Sequence, residues 1–322
     1  VISDALYQEL QPCSVSCCPI FVIGVARSGT SLLSLLLDAH SAIAIPYESH
    51  FIVPFAGKHL DFSTTQSRTI IVQEILRQKY VKHWDVKLEV DDFDIGNCSS
   101  LANTIHELYS AYARKRGKLI WGDKTPSYVT EIDTLHRLFP NAKYIHLIRD
   151  GRDVAASLQK QWWGPKDFVS AIEYWERSVV LATKMLRMLP SSQRIMLRFE
   201  DLIINPEEEI QKVLSFLGLE YEESMLNSYY QSTESKVGSR ATLHHSNLAH
   251  PPSKDQCFKW KRTLPKADQA IAHEIAGRLL KDLGYEPGTE RSNLKLFRKC
   301  YHRMYESVCW QLSNASRNRS KK

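Results

Sequence analysis

The chain has 322 residues, 43% of them hydrophobic, which is enough for a large buried core. The net charge of +6 is unevenly placed: from Arg291 onward there are nine Lys or Arg against the acid Glu306, so the preceding residues are slightly negative. Nucleic-acid binding by the body of the chain is therefore not supported, and no apolar run approaches the ~20 residues that span a bilayer.

The basic tail reads as a solvated terminus or as a docking segment for an anionic partner or membrane surface. No secretory signal pattern stands at the start, so a cytoplasmic protein is expected. Seven cysteines in a long chain predict reduced, structural thiols rather than a disulfide framework. Cys13-x-x-x-Cys17-Cys18 lacks a second Cys/His pair at zinc spacing, so no metal is expected. The glycosylation sequons at Asn97, Asn314 and Asn318 are read as chance matches.

Along the chain, Ile20–Val25 is a short β-branched run after Pro19 and predicts a buried strand. Thr30–Ala39 is the helix that follows. Apolar spacing predicts helices over Ser63–Lys82 and Leu101–Arg116, then a strand over Lys118–Trp121. A helix over Thr130–Phe139 ends at Pro140, and Lys143–Ile148 is a third strand. Helices follow at Asp153–Gln161 and Pro165–Leu189, a fourth strand at Arg194–Phe199, and a helix from Pro206 to Leu217 closed by Gly218. Ser232–Arg262 is polar and His-rich and reads as a long functional loop, before a last helix over Pro265–Leu283. Buried strands alternating with helices predict an α/β fold: a parallel-sheet, P-loop-like, three-layer domain with helices on both faces. It is expected to cover residues 19–288, with an N-terminal extension at 1–18 and the basic tail at 289–322. Ligands of such sheets bind beyond the C-terminal strand ends.

Polar clusters follow all four strands. Gly24-Val-Ala-Arg27-Ser28-Gly29-Thr30-Ser31 leads from strand to helix, a geometry that aims backbone N–H groups at an anion. Thr30 stands where a nucleotide-hydrolysing P-loop carries lysine, which argues against ATP or GTP turnover. Taken alone, the segment is also a plain turn capped by Ser or Thr. Arg149 at the third strand end offers a fork to a phosphate, with Ser157 on the following helix; Arg149-Asp-Gly-Arg152-Asp153 is otherwise a local ion-pair turn.

Arg27-Ser-Gly-Thr-Ser-Leu-Leu33 resembles the 5′-phosphosulfate loop of the sulfotransferases that use 3′-phosphoadenosine-5′-phosphosulfate (PAPS), and Arg149 with Ser157 resembles their 3′-phosphate motif. Trp121-Gly-Asp-Lys124-Thr-Pro126 and Arg198-Phe-Glu-Asp-Leu202 are similar to further landmarks of the family, over roughly residues 19–285. The nearest branch includes the tyrosylprotein sulfotransferases and many bacterial relatives. The resemblance implies PAPS as co-substrate, held by Arg27, Ser28, Gly29, Thr30, Ser31, Arg149 and Ser157. Ser253, Trp260 and Lys261 would close over the nucleotide. It also implies Glu48 as general base, with Arg27 and Lys124 stabilising charge. His50 is the runner-up base, because histidine ordinarily titrates near neutrality. Otherwise Glu48 caps a helix from about Ser49, and Asp123-Lys124 is a surface ion pair. Trp162, Trp163, Tyr174 and Trp175 read as core or pocket wall.

The expected reaction is transfer of a sulfonate to a hydroxyl on a peptide, sugar, lipid or carrier-bound metabolite. The acceptor pocket is expected from residues 50–118 and the late loop. Rival readings are a P-loop-like kinase or NTPase and a catalytically silent nucleotide-binding module.

Overall fold

Four consecutive apolar residues, Ile20–Ile23, form the central strand β1, and all four are at most 1% exposed. A run without polar alternation suits a strand covered on both faces. The computed structural model describes residues 10–14, 17–228, 253–286 and 288. The basic tail, residues 232–252 of the expected late loop, Cys300, Cys309, Asn314 and Asn318 lie outside these residues.

In chain order the elements are β1, α1 (Thr30–Asp38), β2 (Ile43–Ala44), α2 (Ile52–Ala56), α3 (Thr65–Leu76), α4 (Leu101–Lys115), β3 (Ile120–Asp123), α5 (Ile132–Leu138), β4 (Lys143–Ile148), α6 (Gly151–Leu158), α7 (Phe168–Arg187), β5 (Arg194–Arg198), α8 (Phe199–Ile204), α9 (Pro206–Leu217), α10 (Ser224–Ser228), α11 (Trp260–Thr263) and α12 (Lys266–Asp282). The five strands form one parallel sheet in the order β2-β3-β1-β4-β5. This is the expected α/β architecture. The chain builds one side of β1 first and then crosses to the other, a topology in which ligands generally bind beyond the C-terminal strand ends.

The described residues cluster into two compact units. The first holds the whole sheet and comprises the chain up to Gly24, Gly29–Ile148 and Ala182–Lys254. Its core is aromatic: Phe21 meets Trp121, Phe139 and Tyr144, and Trp121 stacks on Tyr109 with centroids 4.6 Å apart. The second comprises Val25–Ser28, Arg149–Leu181 and the described residues from Asp255 onward. In it α6 packs against α11 and α12, and Gly151 lies so close to Trp175 that a Cβ there would be 2.5 Å from the indole. Trp175 is core as expected, whereas Trp162 and Trp163 are 71% and 47% exposed on the connection before α7.

Several boundaries differ from expectation for local reasons. The strand read at Lys118–Trp121 is shifted to Ile120–Asp123 because the side chain of Lys118 has another task. Its ammonium donates to the carbonyls of Asp38, His40 (3.0 Å) and Ile43 (2.8 Å), closing the turn between α1 and β2. Arg116 holds the Asp38 carboxylate with both amino groups, at 2.6 and 3.1 Å. β2 has two residues, too few for any periodicity, and is fixed by pairing with β3. The segment read as unbroken loop up to Arg262 contains α11. No described helix is long and apolar enough to cross a membrane.

His146 lies mid-way along β4, 2% exposed, and its Nε2 has no partner among the described residues. Burial pushes its pKa down to about 4. The unfolded chain therefore takes up the proton first as pH falls from ~6.5, and this contribution to stability, roughly 3 kcal/mol, disappears by about pH 4. Urea unfolding at pH 7 and pH 4.5 should show that loss in the natural chain and a smaller one in His146→Leu; equal losses would contradict it.

Candidate active site

In the first unit, the N-terminus of α1 is placed by two close approaches. A Cβ on Gly24 would lie 2.6 Å from the Leu147 carbonyl oxygen, and one on Gly29 would lie 2.3 Å from the Phe199 ring. Gly29 also has φ 93°, in the left-handed region that L side chains avoid. Thr30 follows, buried, and then Ser31. Lys124, at the end of β3, is 2% exposed and donates to Ser31 Oγ at 3.1 Å and to Glu48 Oε1 at 2.6 Å. Glu48 Oε2 lies 2.8 Å from His50 Nε2. Burial by itself would raise the Glu48 pKa, but the Lys124 charge and the hydrogen bonds from His50 and Lys124 outweigh it and hold the carboxyl at about 2.

This pair rests on buried supports. Asp123 accepts from Tyr109 Oη at 2.5 Å, and burial raises its pKa. Ser49 donates its N–H to Thr125 Oγ1 at 3.0 Å, and its hydroxyl meets Tyr128 Oη at 3.0 Å. Tyr128 Oη also accepts from the N–H of Ile52, the first residue of α2. The alternatives of a surface ion pair at Asp123-Lys124 and a helix cap at Glu48 are both overturned: Asp123 and Lys124 are buried, and α2 starts beyond Phe51 without a side-chain cap.

In the second unit, Arg27 sits at φ 74° and donates its Nε to Ser157 Oγ at 3.1 Å. Arg149 donates to the carbonyls of Arg27 (3.2 Å) and Gln256 (2.8 Å). Arg27, Arg149 and Ser157 are thus brought together from distant parts of the chain. Ser28 donates its N–H to Val25 in a tight turn, and its buried hydroxyl has no partner among the described residues. A basic pair beside an orphaned hydroxyl is a donor set that fits a phosphate.

Part of the arginine segment is structural: Arg152 and Asp150 form a buried ion pair at 2.7 Å, and the Arg152 guanidinium lies 3.5 Å from the centre of the Trp260 ring. Trp260 is 5% exposed and donates its N–H to Asp153 at 2.7 Å. Lys261 pairs with Glu286 at 2.5 Å, and Ser253 is exposed at the start of its segment.

The cysteines hold one arrangement that sequence spacing does not show. Cys13, Cys17 and His106 place ligand-type atoms within 4.8 Å of one another. However, Trp121 donates its indole N–H to His106 Nδ1 at 3.0 Å. The neutral ring then carries its proton on Nε2, which leaves neither nitrogen free for a metal. Cys13, Cys17, Cys18, Cys98 and Cys257 are all unbridged thiols.

The model of the sulfotransferase family matches residues 19–223. This chain belongs to that family. It is a sulfotransferase, and the kinase reading falls away. It is 24% identical over 281 residues to protein-tyrosine sulfotransferase A of Caenorhabditis elegans, covering 85% of this chain and 69% of that one. It is 26% identical over 312 residues to the nodulation protein NoeE of Sinorhizobium fredii, covering 88% and 69%. Its fold is similar to the sulfotransferase domain from the curacin biosynthetic pathway, with TM-score 0.61 and 23% identity over 85% of this chain and all of that one.

Gly29 is the most sensitive position of this sulfotransferase's loop. Gly29→Ala combines left-handed strain of about 1–2 kcal/mol with a clash against Phe199, and should weaken binding of adenosine 3′,5′-bisphosphate (PAP) at least ~tenfold. Calorimetric titration checks this, and unchanged affinity would show that the loop does not depend on this close approach.

Proposed function

We propose that this sulfotransferase takes the sulfonate at Lys124 and the start of α1, and deprotonates the acceptor hydroxyl with Glu48. The observation that carries the reading is the 2.6 Å contact between Lys124 and Glu48 beside Ser31. It joins a carboxylate for the proton and an ammonium for the sulfonate at the N-terminus of a helix. Arg27, Ser28, Gly29, Thr30 and Ser31 are assigned to the phosphosulfate, and Arg149 with Ser157 to the 3′-phosphate. The assignment of Ser253, Trp260 and Lys261 to the nucleotide rests on the sequence match.

PAPS supplies an electrophilic sulfonate whose leaving group is PAP. Glu48 removes the acceptor's proton as the acceptor oxygen bonds to sulfur. The bond from sulfur to the 5′-phosphate oxygen breaks, its electron pair stays on the phosphate, and Arg27 offsets the charge that builds there while Lys124 offsets that on the sulfonate. No metal is part of this scheme.

The acceptor carries a hydroxyl on a peptide, sugar, lipid or carrier-bound metabolite, and phenols are the class to screen first. Two features support that order. Two rings pack on the partners of the base: Tyr80 lies 4.2 Å from His50 between centroids, and Lys124 Nζ lies 5.5 Å from the Tyr47 ring centre. Several relatives are named protein-tyrosine sulfotransferases.

The decisive experiment is calorimetric titration with PAP, with ATP as control and no magnesium. Micromolar binding of PAP alone supports the assignment; ATP binding without PAP binding overturns it. Arg149→Ala should weaken PAP and PAPS alike, by ~10–100-fold from the loss of a charge-assisted contact. Glu48→Ala should keep PAP affinity while transfer from labelled PAPS to a phenol falls ~10²–10⁴-fold. Retained transfer would remove Glu48 as base.

A further inference from the structure

Both oxygens of the Glu48 carboxylate are engaged, Oε1 by Lys124 at 2.6 Å and Oε2 by His50 at 2.8 Å. Held in this way, with its pKa at about 2, the carboxylate is a poor acceptor for a hydroxyl proton. Each oxygen keeps a second lone pair, but losing one of the two contacts would make the carboxylate a stronger base.

They are not equally movable. His50 has φ 55°, a left-handed conformation that is unfavourable for an L residue and persists only where the surroundings enforce it. Its ring is fixed on three sides: by Glu48, by Ser127 Oγ at 3.3 Å from Nδ1, and by the Tyr80 ring. Ser49, just before it, is pinned to Thr125 and Tyr128. Lys124 carries its charge on a four-carbon stem with rotatable donors. Its other polar contact is Ser31 Oγ at 3.1 Å, in the first turn of α1, where the helix end attracts anions.

We propose that Lys124 is exchanged between two anions: it holds Glu48 Oε1 until a sulfonate-bearing donor arrives, then moves to the sulfonate and so releases Oε1 as the base, while His50 acts as a positioning residue that keeps Oε2 in place. This rests on the assignment of Glu48 and Lys124 made above. It makes the base available only when there is a sulfonate to transfer. The coupling is reciprocal: whatever loosens Lys124 from Glu48 favours the sulfonate, and whatever tightens that contact opposes it.

Reciprocity gives a test that needs no acceptor. PAP lacks the sulfonate and PAPS carries it, so the ratio Kd(PAP)/Kd(PAPS), from displacement of labelled PAP, reads the affinity of Lys124 for the sulfonate. Glu48→Gln keeps the shape and removes the competing charge, and should raise the ratio about tenfold. His50→Phe keeps the ring on Tyr80 and removes the donor. The carboxylate then holds Lys124 more tightly, and the ratio should fall severalfold. His50→Gln restores an N–H donor and should stay within about twofold of the natural chain.

PAP affinity should change less than about twofold in every variant, which also shows that each has folded. If the natural chain binds neither nucleotide, the donor assignment itself fails. If PAP binds everywhere but Glu48→Gln leaves the ratio unchanged or lower, the exchange is overturned. If His50→Phe and His50→Gln shift the ratio equally, His50 is not the positioning residue. Should Glu48→Gln lose PAP binding, the two His50 variants decide: an unchanged ratio in His50→Phe overturns the exchange.

Discussion

A carboxylate and an ammonium 2.6 Å apart, almost out of water, are the interaction on which the first unit's chemistry depends. Burial of either charge alone is costly, so each requires the other. The surroundings keep them in register. Asp123 and Tyr109 anchor the strand end that carries Lys124, and Ser49, Thr125 and Tyr128 tie the segment that carries Glu48 to the chain beyond Lys124. These are strand-end and turn positions, where a parallel sheet leaves room for side chains to converge. The arrangement is also a charge trap. An ion pair this close has no reason to react until a third charge competes for one of its members.

The sheet was legible in the sequence because its inner strands are buried on both faces. Ile20–Ile23 and Lys143–Ile148 read as short apolar runs for that reason. The long helices were legible from spacing and punctuation, Gly218 most plainly, since it closes α9 in the left-handed conformation for which glycine is suited. Legibility failed where long-range contacts override local pattern. β2 exists because β3 offers it a partner, and the position of β3 depends on Lys118 being drawn to the carbonyls after α1. Trp162 and Trp163 read as interior residues from type alone, yet they are the most exposed tryptophans among the described residues.

The site was legible as motifs, not as geometry. Arg27, Arg149 and Ser157 could be named from the family resemblance, and the fold brings them together. Glu48 and Lys124 could be named as separate candidates, but nothing in the sequence says that they touch. The supports were harder to see. Tyr128, Tyr109 and Ser49 are ordinary residues in sequence, and only their placement makes them supports. His50 carried a faint signal as a histidine two residues from a candidate base; its left-handed backbone is what sets it apart.

The helical segment between Ser49 and Lys118 is closed at both ends. Ser49 is fastened to Thr125 and Tyr128, Arg116 and Lys118 are fastened to the end of α1, and Ile43 pairs with Ile120. Its two ends are therefore held at opposite ends of β3, whatever lies between them. The entropy of closing such a loop grows only slowly with its length. Lengthening the connection between α2 and α3 would thus cost the frame little, whereas α4 must stay, because its Tyr109 holds Asp123 beside Lys124. The segment is thus tied to the transfer site through α4, while its exposed turns stay open to change.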